Sequence, residues 1–144
     1  MTTDSGAPAI TNSILKLARQ LDATGTLAYV VVEPREGCLL NGCFDNVRRL
    51  VARQGGSIQH GWKISEQPQV YVEAAFHAVW RSLDGSLIDV TPRADEQTRI
   101  LFLPDFKKVW DGDPVEPRRL MLHQKPCYCG SGMPFRICHG LADD

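Results

Sequence analysis

Long hydrophobic runs are absent from this chain. No stretch approaches the roughly 18 apolar residues that a membrane span requires, and the opening "MTTDSGAPAI" lacks the basic start and apolar run of a signal peptide. The expectation is a cytoplasmic protein that does not engage a membrane. Charge of one sign is not in excess either: 16 Lys and Arg face 17 Asp and Glu, a net charge of -1. No global basic field draws the protein to nucleic acid or anionic lipid, so nucleic acid is not an expected partner. There is no G-x-x-x-x-G-K-[ST] phosphate loop, which excludes a P-loop nucleotide hydrolase. Internal repeats and low-complexity tracts are also missing.

What remains is the composition of an ordinary globular chain, 43% hydrophobic and 23% charged over 144 residues, enough for one modest core or a small domain with an appendage. "ITNSILKLARQL" (10–21) places Ile10, Ile14, Leu17, Ala18 and Leu21 at helical spacing, with Thr11, Asn12 or Ser13 as N-cap. "TLAYVVV" (26–32) reads as a strand. A second helix is expected from Gly42 or Cys43, capped by Asn41, to the Gly55-Gly56 pair. "SIQHGWKI", "QVYVEAAFHAVW", "SLIDVTP" and "TRILFLP" read as further strands. In the second of these, Val70, Val72, Ala74, Phe76, Ala78 and Trp80 share one face, and Tyr71, Glu73, Ala75, His77 and Val79 the other. Pro114, Pro117 and Pro126 mark a linker. The expected organisation is a domain at 1–112, a linker at 113–124 and a knuckle at 125–144.

Of five cysteines, three lie in the last eighteen residues. The tail "PCYCGSGMPFRICHG" spaces them as Cys127-x-Cys129, eight residues, then Cys138-His139. Three thiolates and one imidazole are the donor set of a closed tetrahedral zinc site, and the Gly130-Ser131-Gly132 turn lets the chain fold back to converge them. His123 is an alternative ligand; spacing favours His139. A segment this short buries no core of its own, so Zn2+ would supply its folding energy. The stretch "CYCGSGMPFRICHG" resembles the SEC-C motif, the zinc-binding tail of the protein-translocation ATPase and of many unrelated bacterial proteins. Cys127, Cys129, Cys138 and His139 fall on that family's four ligand positions. The resemblance implies a protein partner for the knuckle, although the tail lacks the lysines usual between the glycines and the third cysteine.

"NGCFDNVRRLV" (41–51) puts Cys43 in the first turn of the second helix. Unpaired N–H groups and the positive end of the helix dipole favour a thiolate at such a position, against an ordinary thiol pKa of about 8.5. A nucleophilic thiol needs a base and a group that orients the base. His77 and Asp89 occupy successive strands. With Leu83-Asp84-Gly85 as a three-residue loop, Ser82 pairs with Ser86, Val79 lies opposite Asp89, and His77 and Asp89 become diagonal neighbours on one face. A two-residue loop would put them on opposite faces. Each residue also has an ordinary reading alone: Cys43 as a buried thiol, His77 as a satisfied histidine beside a strand, Asp89 as a cap of the Thr91-Pro92 turn. Cys38 reads as structural, Trp62 and Trp80 as core, Arg48, Arg49 and Arg53 as a solvated face, and Glu73 as a residue able to line a pocket.

The order Cys43, His77, Asp89, with "FHAVW" followed by "GSLIDVTP", is similar to the core of transglutaminase-like and arylamine N-acetyltransferase-like thiol enzymes, relatives in architecture of papain. That resemblance implies an α+β fold, a small papain/transglutaminase-like domain with helices packed on an antiparallel sheet, plus the zinc knuckle. It implies acyl chemistry (amide hydrolysis, deamidation or acyl transfer) through a Cys43-His77-Asp89 triad. No glutamine ahead of Cys43 matches the position that completes an oxyanion hole in those enzymes; Asn41, Gln59 and His60 are the candidates. The alternative function is a non-enzymatic adaptor that docks on a protein or ribosomal partner through its SEC-C knuckle.

Overall fold

The computed structural model describes residues 7–93, 95 and 97–122. Helix α1 spans Asn12–Leu21 and is capped by Thr11, whose Oγ1 accepts from the Ile14 N–H. Strand β1 is Ala28–Val32, helix α2 is Cys43–Gln54, and the remaining strands are β2 (Ser57–Gln67), β3 (Tyr71–Arg81), β4 (Leu87–Asp89), β5 (Arg99–Pro104) and β6 (Arg118–Met121). Strand β6 falls within the proline-marked stretch 113–124 and pairs with β3. No helix among the described residues is long and apolar enough to cross a membrane.

The strands close on themselves in the order β2-β5-β1-β4-β3, with β3 returning to β2 and β6 added outside the ring. All pairs are antiparallel except β1 with β4, where Val31 faces Ile88 and Val32 faces Asp89 in parallel. This corrects the expected papain/transglutaminase-like arrangement of helices on an antiparallel sheet. The chain is mostly β, a closed five-stranded barrel with two short helices on its outside. The physical reason lies in strand length: β2 and β3 are each eleven residues long, so β2 pairs with β3 along its whole length and still offers Gly61–Ile64 to β5. Once β1 joins β5 to β4, the five strands close into a ring.

Alternation along the strands divides the core into three. Val30, Val79, Ile100 and Phe102 fill the barrel interior. On the outside, Ile14 and Leu17 of α1 cover Trp62, Ile64, Val72, Ala74 and Leu101, and Val47 and Leu50 of α2 cover Ala78, Trp80 and Val90. Gly61 makes the barrel tight enough to close, because a Cβ there would collide with the Phe102 ring and the Leu103 carbonyl oxygen.

The ring has one incomplete seam. Strand β3 pairs with β4 only at Trp80 and Arg81, and with β6 at Tyr71–Ala74. Residues 75–79 therefore have no strand partner on that side among the described residues, and the N-terminus of α2 lies against them. Phe44 packs on Phe76 with ring centroids 5.8 Å apart, and Cys43 packs with Ala78 and Val90.

Candidate active site

The turn between β3 and β4 sets the geometry of the site. The Ser82 N–H donates to the Ser86 carbonyl and the Gly85 N–H to the Ser82 carbonyl, both at 2.9 Å, and Gly85 takes φ +91. This is the three-residue loop, with glycine at the left-handed position. Trp80 consequently faces Ile88 and Arg81 faces Leu87, a register that carries His77 and Asp89 onto the same, inward side. His77 Nε2 lies 3.2 Å from Asp89 Oδ2. The approach is off the hydrogen-bonding axis, so the contact is an ion pair and not a linear hydrogen bond.

Asp89 is fully buried and His77 nearly so. The other Asp89 oxygen accepts from the Thr91 N–H at 3.3 Å, which holds the carboxylate plane fixed. Burial alone would pull His77 down, but contacts with the Asp89 carboxylate and the Cys43 thiol outweigh it, and the imidazole is pushed up to about 9. At neutral pH the ring is therefore cationic.

Cys43 reaches this pair through the open seam. It is the first residue of α2, 9% exposed, and both it and Cys38 are free thiols. The helix N-cap is Gly42 and not Asn41. Gly42 has no side chain to bond the first N–H groups, and Asn41 adopts φ +61. The unpaired N–H groups at the start of the helix thus lie next to the sulfur.

Asn46 braces the arrangement. Its Nδ2 donates to the Leu39 carbonyl at 2.8 Å and to Thr91 Oγ1 at 3.1 Å, and its Oδ1 accepts from the Leu39 N–H at 2.9 Å. One buried side chain thereby ties the loop before Cys43 to the segment after Asp89.

A cavity of about 510 Å³ opens on the thiol, with Asn41, Cys43, Phe44, Lys63, His77 and Arg93 among its walls. Its size is that of a small-molecule or side-chain site. Phe44 is backed by Trp110, stacked at 4.4 Å between centroids, so part of the cavity wall is apolar. A groove of about 600 Å³ beside α1 is lined by Leu15, Ala18, Leu27 and Leu103 and contains neither a thiol nor an imidazole.

The other expected participants are placed elsewhere. His60 stacks on Phe44 and Phe76, Gln59 donates to the His60 carbonyl and accepts from Arg81, and Glu73 pairs with Arg119 of β6 at 2.7 Å. None of the three lines the cavity at Cys43. Lys63, Arg93 and Asn46 were not picked out by sequence reasoning. Lys63 had a usable signal, since it shares the strand face of Gly61, which lies opposite His77. Among the described residues no three His, Cys, Asp or Glu side chains converge as metal ligands.

Residues 125–141 match the SEC-C motif. The expected ligands Cys127, Cys129, Cys138 and His139, and the alternative His123, lie outside the described residues. No curated protein and no solved structure matches the chain.

Proposed function

We propose that the chain is a thiol enzyme performing acyl chemistry, with Cys43 as nucleophile, His77 as proton carrier and Asp89 as the group that orients and charges the imidazole. The observation that carries this reading is that Cys43 and His77 line one cavity, with Asp89 buried behind His77 at 3.2 Å from its Nε2. With Nε2 held toward Asp89, Nδ1 is the ring atom available to the thiol. The thiol proton rests on His77, and the sulfur attacks a carbonyl carbon to form a C–S bond. As the tetrahedral intermediate collapses, the bond to the leaving group breaks and the imidazolium proton passes to that group. Water or an amine then attacks the thioester, His77 takes its proton, and the C–S bond breaks to return the thiol. Unpaired N–H groups at the start of α2, with Asn41 on the cavity wall, are the donors that would meet the oxyanion.

In the same proposal Cys127, Cys129, Cys138 and His139 hold a structural Zn2+. The donor set fits a closed tetrahedral site, and the ion's contribution is to fold the tail, not to take part in the reaction. A second reading rests on the match at 125–141: the protein is an adaptor, docking through this tail, and Cys43 is a packing thiol.

One experiment separates the two. The rate of Cys43 alkylation by iodoacetamide is followed across pH at that residue by peptide mass spectrometry, on the intact chain and on His77→Ala and Asp89→Asn. The enzyme reading expects rapid labelling near neutral pH that falls about 100-fold or more in His77→Ala and by a smaller factor in Asp89→Asn. Labelling no faster than that of a simple thiol, and indifferent to His77, would leave the adaptor.

A further inference from the structure

Not every charged group around the cavity has a partner at contact distance among the described residues. Arg93 and Asp95 form a two-pronged pair, Nε to Oδ1 at 2.9 Å and Nη2 to Oδ2 at 2.7 Å, and so neutralise each other. Asp89 is committed to His77 and to the Thr91 N–H. Lys63 is left over. Its neighbours across the sheet are Ala75 on β3 and Phe102 on β5, neither of which can pair with an ammonium. Among the described residues Lys63 Nζ has no hydrogen-bond or ion-pair partner. It is only partly exposed and lines the same cavity as Cys43.

An ammonium held partly off bulk water, on which Asp89, Asp95 and Cys43 act without a contact-distance bond among the described residues, is incompletely satisfied, and an incoming anion can pair with it directly. From this geometry we propose that the cavity binds an acyl donor bearing a carboxylate close to its reactive carbonyl, with Lys63 as the counter-ion of that carboxylate. The inference rests on the thiol-enzyme reading, since it places the carbonyl at Cys43. Burial, and then the nearby Arg93, push the Lys63 ammonium below its ordinary range, with Asp89, Asp95 and Cys43 opposing; a bound carboxylate adds to that opposition. Phe44 and Phe76 line the same cavity, their ring centroids 5.8 Å apart, and offer apolar surface to the aliphatic stem between the two functional groups.

A matched pair of small alkylating agents reads this directly. Iodoacetate and iodoacetamide deliver the same carbon to sulfur and differ in one carboxylate against one amide. Second-order rates at Cys43 are measured for both at neutral pH on the full chain, and N-acetylcysteine amide supplies the ratio for a neutral free thiol. The expected iodoacetate-to-iodoacetamide ratio at Cys43 exceeds the reference by about tenfold or more. Lys63→Met, which keeps the stem, returns that ratio most of the way to the reference, and Lys63→Arg retains it.

The imidazolium of His77 also attracts anions, so the contrast between Lys63→Met and Lys63→Arg is the deciding one. Fast iodoacetamide labelling with a ratio equal to the reference, or with a raised ratio that Lys63→Met leaves intact, overturns the carboxylate site and leaves the thiol enzyme standing. A wild-type ratio at the reference value does so without any variant. Slow labelling by both reagents overturns the enzyme reading and this inference with it.

Discussion

His77 Nε2 stands 3.2 Å from Asp89 Oδ2 in the barrel wall, with the two residues 8% and 0% exposed. So little solvent reaches the pair that the proton on His77 is part of the folded state's stability. The imidazole's pKa rises from 6.5 to about 9 on folding, through Asp89 and Cys43 working against burial. The contribution is therefore complete below about pH 6.5 and is lost as pH rises through about 9. Thermal unfolding of the intact chain and of His77→Gln, compared between pH 6 and 10, checks this. The difference in Tm is expected to be largest at the acid end and to shrink toward pH 10. Above about pH 9 any activity that uses imidazolium as proton donor declines in parallel.

Asn46 is 1% exposed, and its hydrogen bonds hold the loop before Cys43 against Thr91. Asn46→Ala removes the side-chain partners of two backbone groups and one hydroxyl, at an expected cost of about 2–3 kcal/mol. Urea denaturation measures that loss. Because the brace spans both sides of the site, Cys43 alkylation in the folded variant is expected to lose much of its dependence on His77.

Gly61→Ala is expected to destabilise by about 1–3 kcal/mol, as overpacked sites do. The new methyl meets the Phe102 ring and the Leu103 carbonyl oxygen inside the barrel. Gly37→Ala serves as the comparison: a Cβ there meets nothing, although φ +87 adds backbone strain. Chemical denaturation of both variants separates collision from backbone strain.

The proposed zinc tail makes a stoichiometric prediction. Metal analysis of the purified chain is expected to find about one Zn2+ per chain, lost on Cys127→Ser or with strong chelators. The barrel's own unfolding transition is expected to persist after metal removal, because its core is built from residues 14–103. Loss of that transition with the metal would tie the tail to the barrel.

Local pattern carried much of the structure. The period-two faces of β3 in the sequence are the faces that pack, with Val79 inside the barrel and Val72, Ala74, Ala78 and Trp80 outside. Gly85 marked the turn of the β3–β4 hairpin but left a two- or a three-residue loop open; the Ser82–Ser86 pairing selects the three-residue loop, and the loop length selects the face. Closure of the barrel was not legible, because it depends on Val31 meeting Ile88, and no local propensity encodes a parallel pairing between strands so far apart. The helix cap was misassigned for a related reason. Asn41 has the side chain of a good cap, yet Asn46 Oδ1 takes the Leu39 N–H and folds the loop so that Gly42 occupies the cap position. Lys63 escaped notice because its significance comes from what β3 and the Arg93–Asp95 pair place, or fail to place, around it.

Strand β1 pairs with β4 and β5. On the ribosome it therefore emerges well before any strand able to hold it, and it waits until residues 87–104 have been made. Contacts of such long sequence separation carry a loop-closure entropy that local contacts avoid, so ring closure and not helix formation sets the folding rate. Asp89 arrives with the closing strand. The hairpin that brings Asp89 to His77 is local, so imidazole and carboxylate can meet before the ring closes, and what ring closure adds to the candidate site is the β1 strand that holds β4 in place.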